Sequence, residues 1–439
     1  MTQDTPDHPL PRRGLQYWAA FLVALGEFID GYDLLVMGSA VLFLKPAFHL
    51  RASQIGLLGA AAFLGAAVGL LGFGTVADRW GRRRIFLFNL VFFVGFAVLS
   101  AFITNTTELF ITRFMIGVAV GADIPASTAF LAEIAPAKHR GKFLGVLPNM
   151  LWILGAAAAT VMALLLMGMG INAWRWMFGI AAIPALLVLL GRQILPESPR
   201  WLMQRGQMTE ARDAARRLGV AMPESDTPPR PDGSRFRELF SPMYRKRTIV
   251  MALVFGLNCL AGPVTTLGVP YILRYGGLMT VQSSLLFSLS VYAVDLLGVF
   301  TGFLLIDRWQ RRSLAYLSIG GAGTLAVVIG ITGFHTGSWL IILYLLLAYT
   351  LWSGSALLVW VWASELFPTR IRGTGQGFCN ATCRVAIAAN TFLVPIGIAG
   401  LGIQDVMIAF AVPLYIMLAL VASNSVFNTT GKTLEEIAE

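Results

Sequence analysis

Long apolar stretches dominate this sequence and constrain its fold more than any other feature. A helix that crosses a bilayer needs about 20 mostly apolar residues, and twelve such stretches occur along the 439 residues. Strands of a membrane barrel would show short alternating segments instead. The sequence therefore predicts an all-α integral membrane protein with twelve transmembrane helices. The predicted spans are 17–44, 53–76, 85–104, 108–132, 143–169, 174–195, 247–274, 281–306, 313–334, 338–364, 371–399 and 403–427.

Composition and charge exclude the soluble classes. Only 13% of the residues are charged, whereas a soluble chain of this length has about 25%. If both termini are cytoplasmic, most of the 33 Lys and Arg residues, Arg192 among them, lie on the cytoplasmic side. Positive-inside sorting requires this asymmetry, so the net charge of +10 reports topology and predicts no nucleic-acid partner. We expect a multi-pass protein of the inner or plasma membrane with both termini in the cytoplasm.

Two loop motifs occur twice. Residues 78–83 read Asp-Arg-Trp-Gly-Arg-Arg and residues 307–312 read Asp-Arg-Trp-Gln-Arg-Arg, 229 residues apart (78 to 307). Residues 133–141 and 365–373 share Glu-x-x-Pro-x-x-x-Arg-Gly, 232 residues apart (133 to 365). The nearly equal offsets indicate a duplicated six-span unit. Parallel repeats of this kind are typical of alternating-access transporters that bind their substrate near the bilayer midplane.

The duplication predicts three parts. These are an N-terminal six-helix bundle at 1–195, a cytoplasmic linker at 196–246 and a C-terminal six-helix bundle at 247–439. In the linker, Met208, Ala211, Ala215 and Leu218 recur at helical spacing and predict an amphipathic surface helix. The linker has too few apolar residues for a soluble domain of its own.

The motifs at 78–83, 307–312 and 196–202 (Pro-Glu-Ser-Pro-Arg-Trp-Leu) resemble the sugar-porter-type signatures of the major facilitator superfamily. This resemblance implies two pseudo-symmetric bundles and solute transport by alternating access. It also implies that ion pairs of the loop motifs gate the cytoplasmic face; simple helix capping is the alternative. The predicted gate residues are Asp78, Arg79, Arg82, Arg83, Glu133, Arg140, Asp307, Arg308, Glu365 and Arg372.

Other segments are similar to the proton-coupled organic acid branch of that superfamily. They are Asp30-Gly-Tyr-Asp33, residues 117–125 and residues 264–270. Residues 256–262 (Gly-Leu-Asn-Cys-Leu-Ala-Gly) stand where a sugar porter has Gln-Gln-x-x-Gly. The similarity favours an organic acid or another metabolite as the substrate, and a sugar stays open.

Carboxylates inside the predicted spans are candidates for proton coupling, because charged side chains at membrane depth are costly and mark functional sites. All four His residues fall in tails or loops, which leaves the carboxylates. Asp33 and Asp123 are the first candidates, followed by Asp30 and Glu27. The alternative is structural pairing, for example of Asp30 with Arg384 or Arg113.

Arg384 is the predicted anion-binding residue, because its guanidinium stays cationic and offers a bidentate fork to a carboxylate or phosphate. It lies about 18 Å into its span, near the middle of a core about 30 Å thick. Asn380, one turn earlier, shares its face. The alternative is a fixed counter-ion. The predicted substrate-binding residues are Arg384, Asn380, Trp152, Tyr271, Trp352, Trp360 and Asp295, whereas Arg113 is expected to be structural.

No nucleotide loop, metal motif or nucleophile triad is present, so we predict no enzyme activity, no cofactor and no metal. The three Cys residues are interpreted as small apolar side chains. The predicted function is secondary active transport of a small organic solute with protons by a functional monomer. The alternatives are a sugar or polyol symporter, a phosphate symporter and a non-transporting membrane sensor.

Overall fold

The structure is a computed structural model, and its described residues are all in helices or irregular segments. Eight of its helical stretches are long and apolar enough to cross a membrane by length and composition, and one of them, residues 147–193, covers two predicted spans. The described residues are 13–134, 146–220, 234–261, 268–275, 279–306, 308–333, 338–355, 361–363, 365–367 and 371–429.

Six predicted spans form the N-terminal half. Span six is divided at Ala181 into two helices, and span five continues into a 3-10 turn at Met167–Asn172. The helices are α1 (Arg13–Phe48), α2 (Ala52–Trp80), α3 (Arg82–Phe102), α4 (Thr106–Ile134), α5 (Leu147–Leu166), α6 (Ala173–Ile180) and α7 (Ala182–Gln193).

Three short helices follow in the linker. They are α8 (Pro199–Gln204), α9 (Met208–Leu218) and α10 (Ser234–Leu239). Helix α9 occupies the predicted amphipathic segment and buries Ala211, Ala214 and Leu218, while its basic residues Arg216 and Arg217 are exposed.

The C-terminal half contains the other six spans. The described parts of span seven are two helices, and span ten includes a π-helical turn at Leu351–Ser355. The helices are α11 (Arg245–Leu260), α12 (Gly268–Tyr275), α13 (Val281–Leu305), α14 (Arg311–Thr332), α15 (Ser338–Thr350), α16 (Arg372–Gly400) and α17 (Ile403–Ser423).

Glycines allow α2 and α4 to pack in direct backbone contact. A Cβ added at Gly65 would collide with the carbonyl oxygen of Phe114, and one at Gly117 would collide with that of Ala62. Small residues at helix interfaces permit such close approach in membranes, where van der Waals packing drives helix association.

Among the described residues, the main contacts between the two halves are α2 with α16, α5 with α13 and α1 with α12. At the end predicted to face outward, the Lys45 ammonium of α1 lies 3.5 Å from the centre of the Tyr275 ring and 5.8 Å from that of Tyr271. These cation–π contacts join the halves there.

The outer surface is strongly apolar. Phe102, Leu165 and Ile331 are each more than two-thirds exposed. Large contiguous apolar surfaces of this kind mark contact with lipid or another partner. Together with the helix lengths they indicate a multi-pass membrane protein, as predicted.

Candidate functional site

The ionisable side chains inside the helices fall into separate groups, and the first is the pair Asp33–Arg113. The two guanidinium NH groups donate to the two carboxylate oxygens of Asp33 at 2.8 and 2.9 Å. Both side chains are 1% exposed, and the guanidinium lies 5.1 Å from the Phe178 ring centre. This pair joins α1 to α4. Asp33, rather than Asp30, is therefore the partner of Arg113.

The second group is the pair Asp123–Arg192. The guanidinium donates to the carboxylate oxygens of Asp123 at 2.8 and 3.2 Å and to the carbonyl oxygen of Val23 at 2.8 Å. Ser127 donates to the same carboxylate at 2.7 Å. The assignment of Arg192 to the cytoplasmic loops is wrong: it is 1% exposed inside the N-terminal half, because α7 continues to Gln193 within the packed bundle.

The third group lies between the halves and contains Glu27 and Asp30 of α1 and Arg384 of α16. Arg384 interacts electrostatically with both carboxyls. Among the described residues it forms no ion pair and donates no hydrogen bond, although only 8% of it is exposed. The side-chain amide oxygen Oδ1 of Asn380, one turn earlier, is also buried and has no hydrogen-bond partner among the described residues.

Asp295 stands apart from this group. Its side chain is 1% exposed, and it neighbours Tyr292 of α13 and Tyr344 of α15. One carboxylate oxygen has no hydrogen-bond partner among the described residues. The structure thus places Asp295 inside the C-terminal half and away from the residues that interact with Arg384.

Predicted aromatic residues line the interface between the halves at two levels. Trp152 of α5 and Trp352 of the π turn are partly exposed, with ring centres 6.0 Å apart. Tyr271 lies at the outer level, with its ring 4.9 Å from that of Tyr275. Trp360 falls outside the described residues.

Two predicted gate carboxylates, Glu133 and Glu365, form ion pairs within their own halves; Arg311, the partner of Glu365, was not among the predicted gate residues. Arg82 pairs with Glu133 in the N-terminal half, and Arg311 pairs with Glu365 at the equivalent position of the C-terminal half. The Arg82 and Arg83 backbone N–H groups donate to Glu197 at 3.0 and 3.1 Å. This symmetry reflects the duplicated motifs.

Of the remaining predicted gate residues, Arg308 has an exposed side chain. The others lie outside the described side chains; they are Asp78, Arg79, Arg140, Asp307 and Arg372.

The structure contains a disulfide that we did not predict. Cys259 of α11 and Cys383 of α16 are bonded, with their Cα atoms 5.4 Å apart, while Cys379 is a buried free thiol. Interpreting all three cysteines as isolated apolar residues is therefore wrong for two of them. Their separation of 124 residues gives no sign of contact in the sequence. No cluster of His, Cys, Asp and Glu suited to a metal occurs among the described residues.

Comparison with known proteins identifies relatives of this chain and solved structures with a similar fold. The inner membrane metabolite transport protein YgcS of Escherichia coli is 32% identical over 93% of this chain and 90% of its own length. The glucose transporter GlcP of Staphylococcus epidermidis is 27% identical, with 96% of each chain covered. The solved partially occluded, inward-open structure of the xylose transporter XylE of E. coli superposes with a TM-score of 0.77 at 21% identity, covering 94% of this chain and 98% of that one.

The XylE likeness supports the fold alone, which is the twelve-helix fold predicted. Residues 19–439 match the family described as "Sugar (and other) transporter", and the relatives are transporters rather than enzymes. The chain is therefore a membrane transporter of the sugar (and other) transporter family, within the major facilitator superfamily.

Proposed function

We propose that this protein imports a small organic anion, such as a monocarboxylate or an aromatic acid, together with protons. The observation that carries the proposal is the buried Arg384 guanidinium. It has no ion pair among the described residues and lies between the halves, where it faces Glu27 and Asp30.

A carboxylate on the substrate would supply the partner that Arg384 lacks. A guanidinium binds a carboxylate through two parallel hydrogen bonds, and among the described residues Arg384 forms no such pair with Glu27 or Asp30. The unpartnered Asn380 oxygen one turn away would accept a hydrogen bond from a hydroxyl or ring N–H of the same molecule. These groups together favour an acid that also carries a polar donor.

The charge balance of this site supports proton coupling. When all three groups are ionised, Glu27, Asp30 and Arg384 sum to one negative charge. A monovalent anion adds a second negative charge, and a proton bound by Asp30 or Glu27 cancels the addition. Entry of one anion with one proton therefore leaves the charge between the halves unchanged, which lowers the electrostatic cost of loading.

In this proposal Asp33 and Asp123 have a structural role and do not carry the proton. Each already has a buried guanidinium partner in the N-terminal half. They would hold α1, α4 and α7 in register, while Asp30 and Glu27 carry the proton at the substrate site. The Asp123 carboxyl interacts electrostatically with that of Asp30.

Uptake into proteoliposomes tests the substrate class. We would compare radiolabelled 4-hydroxybenzoate, glucose and inorganic phosphate, with an acidic exterior and with no pH gradient; protein-free vesicles give the passive leak. We expect gradient-driven uptake of the carboxylate, which a protonophore abolishes.

The variants Arg384→Gln and Arg51→Gln provide the matched pair, because Arg51 is exposed outside the spans. Arg384→Gln should reduce carboxylate uptake by about 100-fold, the effect expected for about 3 kcal/mol of lost charge-assisted hydrogen bonding. Arg51→Gln should leave it near the wild-type rate. Concentrative uptake that persists without a proton gradient would exclude the coupling.

A sugar or polyol is the second candidate, because a relative of this chain is named a glucose transporter. The two partly exposed Trp rings at positions 152 and 352 offer apolar faces to a sugar ring. In this case glucose uptake would exceed that of the acid, and Arg384→Gln would affect neutral and anionic solutes equally.

A further inference from the structure

Helix α16, which carries Arg384, is packed on two different sides. On one side, Cys379 and Cys383 belong to the buried core of the C-terminal half. On the other, Ala381 belongs to a buried cluster with residues of α2 and α4 in the N-terminal half. Successive residues of a helix point about 100° apart, so the rotation of α16 about its axis determines where the Arg384 side chain points.

Two bonds hold α16 against the end of α11. Cys383 is bonded to Cys259, and the side-chain amide of Asn390 donates a hydrogen bond to the carbonyl oxygen of Leu260. Cys259 and Leu260 are the last two residues of α11. Cys383 and Asn390 are two helical turns apart, about 10 Å along the axis, and share one face of α16. Attachment at two levels of one face fixes both the rotation and the height of α16 relative to α11.

Arg384 depends on this attachment for its own position. It follows Cys383 directly, so its side chain projects about 100° around the helix from the bonded face. There the guanidinium interacts electrostatically with Glu27 and Asp30 of α1. Among the described residues Arg384 forms no ion pair, so its place between the halves is set by the backbone of α16.

We propose that the Cys259–Cys383 disulfide positions Arg384 for anion binding, by keeping α16 in a fixed register with α11. This inference rests on the proposed function. Rocking of the halves changes the packing of α16 against α2, because these two helices belong to different halves. The disulfide lies within the C-terminal half and stays intact, so Arg384 returns to the same place in each cycle.

Positioning of this kind makes the affinity for the acid sensitive to thiol reagents. Dithiothreitol reduces a disulfide by transferring two electrons and two protons to it. The bond between the Cys259 and Cys383 sulfurs breaks, both become thiols, and the reagent closes into its own cyclic disulfide. Reduction therefore releases α16 at one of its two attachments without changing any residue of the substrate site.

The test compares Cys259→Ala with Cys379→Ala in proteoliposomes. The first change removes the disulfide and leaves the sequence of α16 intact. The second removes a buried cysteine of α16 that forms no disulfide and that precedes Asn380 as Cys383 precedes Arg384. The readouts are the KM and the maximal rate of 4-hydroxybenzoate uptake under a fixed proton gradient, before and after dithiothreitol. Mass spectrometry of alkylated protein verifies the reduction.

We expect Cys259→Ala to raise the KM about tenfold and to keep the maximal rate within about twofold of wild type. The reason is that a displacement of about 1 Å costs up to about 100-fold, and the Asn390 hydrogen bond limits the displacement. Cys379→Ala should keep the wild-type KM. Dithiothreitol should raise the KM of wild type and of Cys379→Ala but not that of Cys259→Ala, and reoxidation should restore it.

A double variant separates positioning from general packing. In the Arg384→Gln background, Cys259→Ala should cause no further loss of acid uptake at low acid concentration, because the group that the disulfide positions is gone. The same fractional loss in both backgrounds would overturn the proposal, because the disulfide would then act on packing alone.

A wild-type KM in Cys259→Ala would also overturn the proposal. If Cys259→Ala does not fold, reduction of the folded wild-type protein carries the same expectation, and an unchanged KM after verified reduction has the same meaning. A wild-type protein that takes up no acid would refute the proposed function itself, and the positioning role with it, before any variant is compared.

Discussion

Arg113→Gln tests how the buried charges of the N-terminal half are stabilised. In the native pair both guanidinium NH groups reach the Asp33 carboxylate, and both side chains are 1% exposed. The substitution leaves Asp33 buried without a cation among the described residues. Removing one partner of a buried ion pair costs about 3–5 kcal/mol.

SDS titration of the purified protein in detergent measures the free energy of unfolding. Arg113→Gln should lower it by about 3–5 kcal/mol. The double variant Asp33→Asn/Arg113→Gln should recover much of this loss, because it leaves no buried charge unpaired at this position. The reasoning is refuted if the double variant is as unstable as Arg113→Gln.

Three further predictions concern packing, the disulfide and the isolated carboxyl. Gly65→Ala should lower the free energy of unfolding by about 1–3 kcal/mol, because the added methyl group would collide with the backbone of α4. Gly72→Ala on the same helix is the control: its methyl group would have no atom within 4 Å, so the free energy of unfolding should change little. Alkylation of the denatured chain, read by mass spectrometry, should add one label before reduction and three after, because Cys259 and Cys383 are bonded; three labels before reduction would contradict the disulfide. Asp295→Asn should unfold within about 1 kcal/mol of wild type, because no described cation pairs with this carboxyl; a loss as large as that of Arg113→Gln would reveal a missing partner.

The helical architecture could be predicted because its causes are local. Each predicted span has enough apolar residues to cross the bilayer, and the paired motifs at 78–83 and 307–312 report the duplication directly. The break in span six at Ala181 was not predicted, since the residues around it are apolar and hydropathy alone does not detect a turn inside an apolar stretch. The family resemblance correctly gave a major facilitator transporter.

Pairing of the charges was harder to predict, because it depends on which helices touch. The sequence indicated that Asp33 and Asp123 are costly at membrane depth, but it did not indicate that each has its own guanidinium. Arg192 gave one usable signal: Leu189 and Leu190 precede it closely, and Ile194 and Leu195 follow after Gln193.

The separation of the ion pairs affects the energetics of the transport cycle. Every ion pair among the described side chains joins two residues of the same half, so rocking of one half against the other need not break any of them. Breaking even one such buried pair would add several kcal/mol to the barrier in each turnover. For the described residues, the cost of reorientation then depends on the apolar helix surfaces that separate and on the ionisation state around Arg384. Under the proposed proton coupling, a single proton there decides whether the carrier moves.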